Sequence, residues 1–137
     1  MQPEITDNVT AQDLDEVRFG LNAYNSKFFD VDVIRSIGVF IRDEQGRKLA
    51  GLTGSTTGSW LRIDMLWVSE ALRGQGAGSK LMQAAEQEAR DRGCRYAQVD
   101  TTSFQARPFY EKRGYTLRLT LADYVDHHQR HYLTKHL

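Results

Sequence analysis

The chain has 137 residues, the size of one ordinary domain, and its 40% hydrophobic and 26% charged residues are the balance of a soluble globular protein. Eighteen basic side chains cancel eighteen acidic ones, so no global field draws it toward nucleic acid or an anionic membrane. A single cysteine, Cys94, excludes an internal disulfide and fits a reducing compartment. With no apolar run long enough for a bilayer and no leader-like N-terminus, the cytoplasm is the expected location.

Residues 2–9 are a short strand candidate. Thr10 caps a helical stretch whose Leu14, Val17, Leu21 and Tyr24 recur at helical spacing. After an irregular connector at 30–35, residues 36–43 and 47–56 read as a hairpin with Gly46 in its turn, and 60–68 as a third strand. A helix is expected from about 76 to 92, with Leu81, Ala85 and Ala89 on one face and Gly93 as its stop. Glu86 with Arg90, and Glu88 with Arg92, are spaced as helical ion pairs. A strand at 95–101 follows, then a short helix at 106–113 with Pro108 in its first turn and Gly114 after it. Two strands close the chain. Strands, one strand–helix–strand crossover, then helix and strands predict an α/β domain with a mixed sheet and helices on its faces. No repeat or second domain is visible, so residues 1–137 read as one domain.

The informative stretch is LWVSEALRGQGAGSKLMQ, from Leu66 to Gln83. An apolar strand runs through Gly74, Gly76 and Gly78 into a helix. Free N–H groups and the dipole at such a helix start favour an anion, commonly phosphate. Bare glycine lets that anion approach the backbone, and Arg73 adds a forked cation. The spacing fails the P-loop pattern, because Gly78 is followed by Ser79 and then Lys80. A dinucleotide pattern would need its third glycine at position 79; Asp100 stands where a ribose-binding acid belongs, so this reading stays open as a rival.

The pattern Arg73-Gly74-Gln75-Gly76-Ala77-Gly78, with the later block Thr101 to Tyr115 ending Tyr110-Glu-Lys-Arg-Gly114-Tyr115, resembles the GCN5-related N-acetyltransferase (GNAT) family. The resemblance implies a mostly antiparallel sheet of six to seven strands with a splayed central parallel pair, here 60–68 and 95–101. It implies acetyl-CoA in that gap, with its pyrophosphate on the N–H groups of about Gln75 to Ser79. It further implies a strand bulge at Leu66, Trp67 and Val68 that pairs with the pantetheine arm and donates to the thioester carbonyl. Phe109 and Ser103 would add contacts, although many members carry asparagine where Ser103 stands. Tyr110 matches a tyrosine near the sulfur, and Asp64 lies where some members place a base.

The implied activity is acetyl transfer to a primary amine of a small molecule or peptide by direct attack in a ternary complex, with no metal. His127, His128 and His131 lack a ligand set at metal spacing; His127 and His128 are candidates to border the acceptor pocket. Tyr24, Asn25, Phe28 and Phe29 are candidates for the acceptor wall. The short connector after the first helix suggests an open acceptor groove or one completed by a second subunit, and family analogy points to a homodimer. Cys94 reads as a buried apolar residue. The alternatives are a nucleotide-dependent oxidoreductase using Gly74, Gly76 and Asp100, and a module that binds CoA without catalysis.

Overall fold

The structure, a computed structural model, describes Met1–Leu137 and divides into two compact units, Met1–Val33 and Ile34–Leu137. The first unit contains helix α1, Ala11–Asn25. Thr10 and Asp13 cap it reciprocally: the Thr10 hydroxyl accepts from the Asp13 N–H at 3.0 Å, and the Asp13 carboxylate accepts from the Thr10 N–H at 2.9 Å. Residues 2–9 do not form the expected strand; the Asn8 N–H bonds locally to the Thr6 hydroxyl, a turn-like bond that competes with ladder formation. Downstream, the connector makes only a 3-10 turn, Val31–Val33.

The second unit holds strands β1 (Ile34–Arg42), β2 (Lys48–Thr57) and β3 (Trp60–Val68), helix α2 (Ala77–Asp91), strand β4 (Tyr96–Thr102), helix α3 (Arg107–Glu111), and strands β5 (Thr116–Val125) and β6 (His128–His136). These strands make one six-stranded sheet in the order β1-β2-β3-β4-β6-β5, with β3 and β4 its parallel pair. The right-handed crossover expected between parallel neighbours is α2. Its Leu81, Met82, Ala85 and Ala89 pack on Leu61, Ile63, Ala97, Val99 and Leu133 of the sheet. Gly93, at φ 91°, ends α2 in the left-handed conformation, and the buried Cys94 follows as an apolar residue.

Of the two ion pairs expected along α2, Glu88 meets Arg92 at 3.1 Å, but Glu86 does not meet Arg90. Glu86 is buried; its carboxylate accepts from the Lys135 ammonium at 2.8 Å and the Tyr115 hydroxyl at 2.7 Å. Arg90 turns instead to the Leu137 carbonyl. Burial decides the pairing, because a carboxylate out of water needs partners that are also out of water.

The bulge in β3 also differs from the expectation. Along β2 the ladder passes from Gly54↔Ile63 to Thr53↔Met65, so the extra residue is Asp64 and not one of Leu66, Trp67 and Val68. Gly54 permits this. A β-carbon there would lie 2.0 Å from the Arg62 carbonyl oxygen, a distance that only backbone movement could relieve. We expect Gly54→Ala to lower unfolding free energy in urea by about 1–3 kcal/mol, the usual scale of overpacking. Unchanged stability would mean that β3 can shift away without loss.

Candidate active site

β3 and β4 are paired only from Trp60↔Tyr96 to Ile63↔Val99. Beyond that point β3 stays on β2 as far as Val68, while β4 stays on β6 as far as Thr102. Their facing edges separate into a V, and the bulge at Asp64 begins at the fork. A buried backbone edge without a strand partner must find other hydrogen bonds, so the fork offers a ladder for an extended ligand.

A cleft of about 660 Å³ occupies the V. Asp64, Leu66, Trp67 and Val68 line it from β3, Arg73 and Gly78 from the glycine junction, and Phe109 and Tyr110 from α3. Gly74, Gln75, Gly76, Ala77 and Ser79 belong to the same junction behind that lining. Gly74 and Gly76 have φ of 76° and 78°, the left-handed region where a β-carbon is strained. Gly78 has a different reason: its β-carbon would meet the Phe109 ring at 3.2 Å. The first bond of α2 runs from the Lys80 N–H to the Gly76 carbonyl at 3.1 Å. The N–H groups of Ala77, Gly78 and Ser79 therefore precede any helical acceptor. The Gln75 N–H is already engaged by the Leu72 carbonyl at 3.3 Å, which trims the expected cradle by one donor. Arg73 bonds the Val68 carbonyl through Nε at 3.3 Å and lies 3.8 Å from Glu70 through Nη1. These free donors, the dipole and the bare backbone suit a phosphate or diphosphate group.

Asp64 is half-exposed and lies 3.2 Å from Arg62. Tyr110 is buried beside Phe109 and Tyr115, with ring centroids at 5.2 and 6.0 Å. Burial pushes its hydroxyl up to about 12, so it is a neutral donor through the physiological range. Ser103 spends its hydroxyl on β6, accepting from the Gln129 N–H at 3.1 Å and meeting His128 Nδ1 at 3.3 Å. His128 in turn sits edge-on to Phe104 at 4.8 Å, and Phe104 lines the cleft; His127 lies tilted against His128 at 4.2 Å. Tyr24, Asn25, Phe28 and Phe29 are in the first unit, where Tyr24 and Phe28 pack at 5.4 Å. No three His, Cys, Asp or Glu side chains converge as a metal site would.

The Acetyltransferase (GNAT) family model matches residues 9–115, which include the fork, the glycine junction and α3. The chain belongs to the GNAT family. It is 38% identical to Acetyltransferase Atu2258 of Agrobacterium fabrum over 112 residues, 82% of each chain. It is 42% identical to the Blasticidin-S acetyltransferase of Streptomyces morookaense over 95 residues, 69% of this chain and 70% of that one. A candidate acetyltransferase of Agrobacterium tumefaciens, known from a crystal structure, superposes over all of both chains with a TM-score of 0.92 at 35% identity.

As a GNAT acetyltransferase the chain has no use for the dinucleotide reading, and the sheet agrees, since it has one parallel pair and not a parallel array. Asp100 does line the cleft, but it is salt-bridged to Arg130. Arg130 and Thr102 are cleft residues that sequence reasoning missed. The one available signal was alternation: with Ala97, Val99 and Leu133 turned to the core, Asp100, Thr102 and Arg130 fall together on the other face. The raised Tyr110 group also fixes a sign. Its folded value lies above the ordinary phenol value of about 10, so the stability it contributes is whole below pH about 10 and lost as pH rises through about 12. We expect phenolate absorbance to show Tyr110 and Tyr115 titrating late, and Tyr110→Phe to remove one residue from that late component; a Tyr110 that ionises near pH 10 would contradict its burial.

Proposed function

We propose that this GNAT enzyme transfers acetyl from acetyl-CoA to a primary amine of a small molecule or peptide by direct attack in a ternary complex. One observation carries the reading: an open strand edge, free first-turn N–H groups and a buried neutral phenol converge on a single cleft. When bound, acetyl-CoA supplies an activated acyl group.

The chain's own residues would then do four things. Ala77, Gly78 and Ser79 offer N–H groups to the diphosphate, with Arg73 beside them. The β3 edge at Leu66, Trp67 and Val68 offers backbone bonds to an extended arm, and an N–H of the β3 edge serves the thioester carbonyl as an oxyanion donor. Tyr110 donates a hydrogen bond to negative charge that develops in the cleft. It acts as a donor and not as an acid, because burial pushes its hydroxyl up to about 12, above the ordinary phenol value. Asp64 takes the proton of the amine, of which only about one part in 2,500 is neutral at pH 7 for a lysine-like group. Of the two carboxylates at the fork, Asp64 is the one whose partner, Arg62, is exposed; Asp100 is held by Arg130.

The relative that by name acetylates blasticidin S makes a small polar amine the first acceptor class to try. Calorimetric titration with CoA should give saturable heat; none would remove the basis of this reading. Thiol release from acetyl-CoA should follow with at least one member of a panel of blasticidin S, polyamines, aminoglycosides and lysine peptides. Binding without release from any of them would favour the non-catalytic module. Tyr110→Phe should lower kcat about a hundredfold to a thousandfold with CoA affinity within about twofold, the scale of one lost donor to developing charge. Asp64→Asn should lower turnover and change the shape of the pH–rate profile, and an unmoved profile would take the proton away from Asp64.

A further inference from the structure

The last partners of the parallel pair are Ile63 and Val99. Asp64 and Asp100 are therefore the first residues on the two arms of the V, one from each strand. Ile63 and Val99 are core residues, so alternation turns the residue after each of them to the opposite face. Both aspartates line the cleft, and both side chains are accessible, 47% exposed for Asp64 and 19% for Asp100.

Each carboxylate meets its arginine through one oxygen. Asp64 Oδ1 lies 3.2 Å from Arg62 Nε, and Asp100 Oδ2 is salt-bridged to Arg130 Nη2. Arg130 is itself anchored: its Nη1 donates to the Tyr124 hydroxyl at 2.6 Å, and its guanidinium lies 4.8 Å from the Tyr124 ring. No hydrogen bond engages Asp100 Oδ1, and it is not among the buried polar atoms that lack a partner. A held carboxylate thus keeps an acceptor oxygen accessible, across the fork from the carboxylate assigned to proton transfer.

The chemistry of a primary amine gives that oxygen a task. Two N–H bonds flank the lone pair of the neutral amine. As the N–C bond forms and the C–S bond breaks, the electron pair leaves on sulfur and one proton goes to Asp64. The other N–H stays in the amide product. An ion-paired carboxylate can accept a hydrogen bond from it without taking the proton. A secondary amine has carbon where that N–H would be.

We propose that Asp100 is a specificity-determining residue, which accepts a hydrogen bond from the N–H that Asp64 does not deprotonate and so selects primary over secondary amines. This rests on the acetyltransferase reading above and names the residue that sets its acceptor class. Sites built to bond an N–H discriminate strongly against analogues that lack it.

Each primary amine that the wild-type enzyme acetylates is compared with its N-methyl form; for a lysine peptide that is Nε-methyl-lysine. With acetyl-CoA saturating, the wild type should favour the primary amine in kcat/KM by at least about tenfold, the scale of one hydrogen bond to a charged group. Asp100→Ala should shrink that ratio about tenfold. Asp100→Asn has the same size and lacks the charge, so it separates the hydrogen bond from mere room for a methyl group; it too should shrink the ratio, by less. CoA titration of each variant checks that it is folded, and Asp100→Asn decides if Asp100→Ala is not. A wild-type ratio near one, or a folded Asp100→Asn that keeps the wild-type ratio, would overturn the role of Asp100 and leave the acetyltransferase reading intact. Acetylation of no primary amine by the wild type would instead remove that reading, and this role with it.

Discussion

The parting of β3 from β4 after Ile63 and Val99 is the constraint on which the rest of the active unit depends. Parallel neighbours would ordinarily stay paired to their ends, since each abandoned backbone group must find another partner. Here each strand has a better hold on its outer neighbour. β3 is kept by β2 on one side, β4 by β6 on the other, and the extra residue at Asp64 rotates the remainder of β3 away. Gly54 makes that rotation possible by leaving room for the Arg62 carbonyl. The cleft is thus a consequence of sheet pairing, and it would exist without any flexible loop.

An opening in a sheet is useful only if the helix that crosses it is aimed correctly, and α2 is tied down at separate points. Near its middle, Glu86 accepts from Lys135 of β6 and from Tyr115 beyond α3. At its C-terminal end, Arg92 donates to the Ser36 carbonyl and the Thr56 hydroxyl on β1 and β2. Burial and the Glu86 charge both hold the Tyr115 hydroxyl far above its ordinary range, so it remains a donor to that carboxylate. Buried ionic contacts of this kind add little net stability, but those made here join α2 to three strands of the sheet. These ties matter because the first turn of α2 must point its free N–H groups at the fork, and Gly78 must lie flat against Phe109.

Much of this was legible in the sequence for physical reasons. Strand-like runs and the Gly46 turn located β1 to β4, the three glycines located the helix start, glycine spacing argued against two phosphate cradles, and the block from Thr101 to Tyr115 strengthened the third. What the sequence could not carry was pairing at long range. The bulge position depends on which residue of β2 faces Asp64. Glu86 has the spacing of a surface pair with Arg90, and only the approach of Lys135, 49 residues away, converts it to a buried one. Asp100 looked like a ribose ligand because its salt bridge to Arg130 is invisible without the β4–β6 register. The glycines were read for one purpose and serve two, since Gly74 and Gly76 meet a backbone requirement and Gly78 a packing one.

The charges around the cleft follow a pattern that bears on selectivity. Arg73 stands at the glycine junction, where a diphosphate would neutralise it. At the fork, Asp64 is matched by Arg62 and Asp100 by Arg130. The chain as a whole is also neutral, so neither the local nor the global field gathers a polycation or a polyanion. An amine would enter this site without strong electrostatic steering. Discrimination must then come from hydrogen bonds made at short range, where an unpaired buried atom is costly and geometry is exacting.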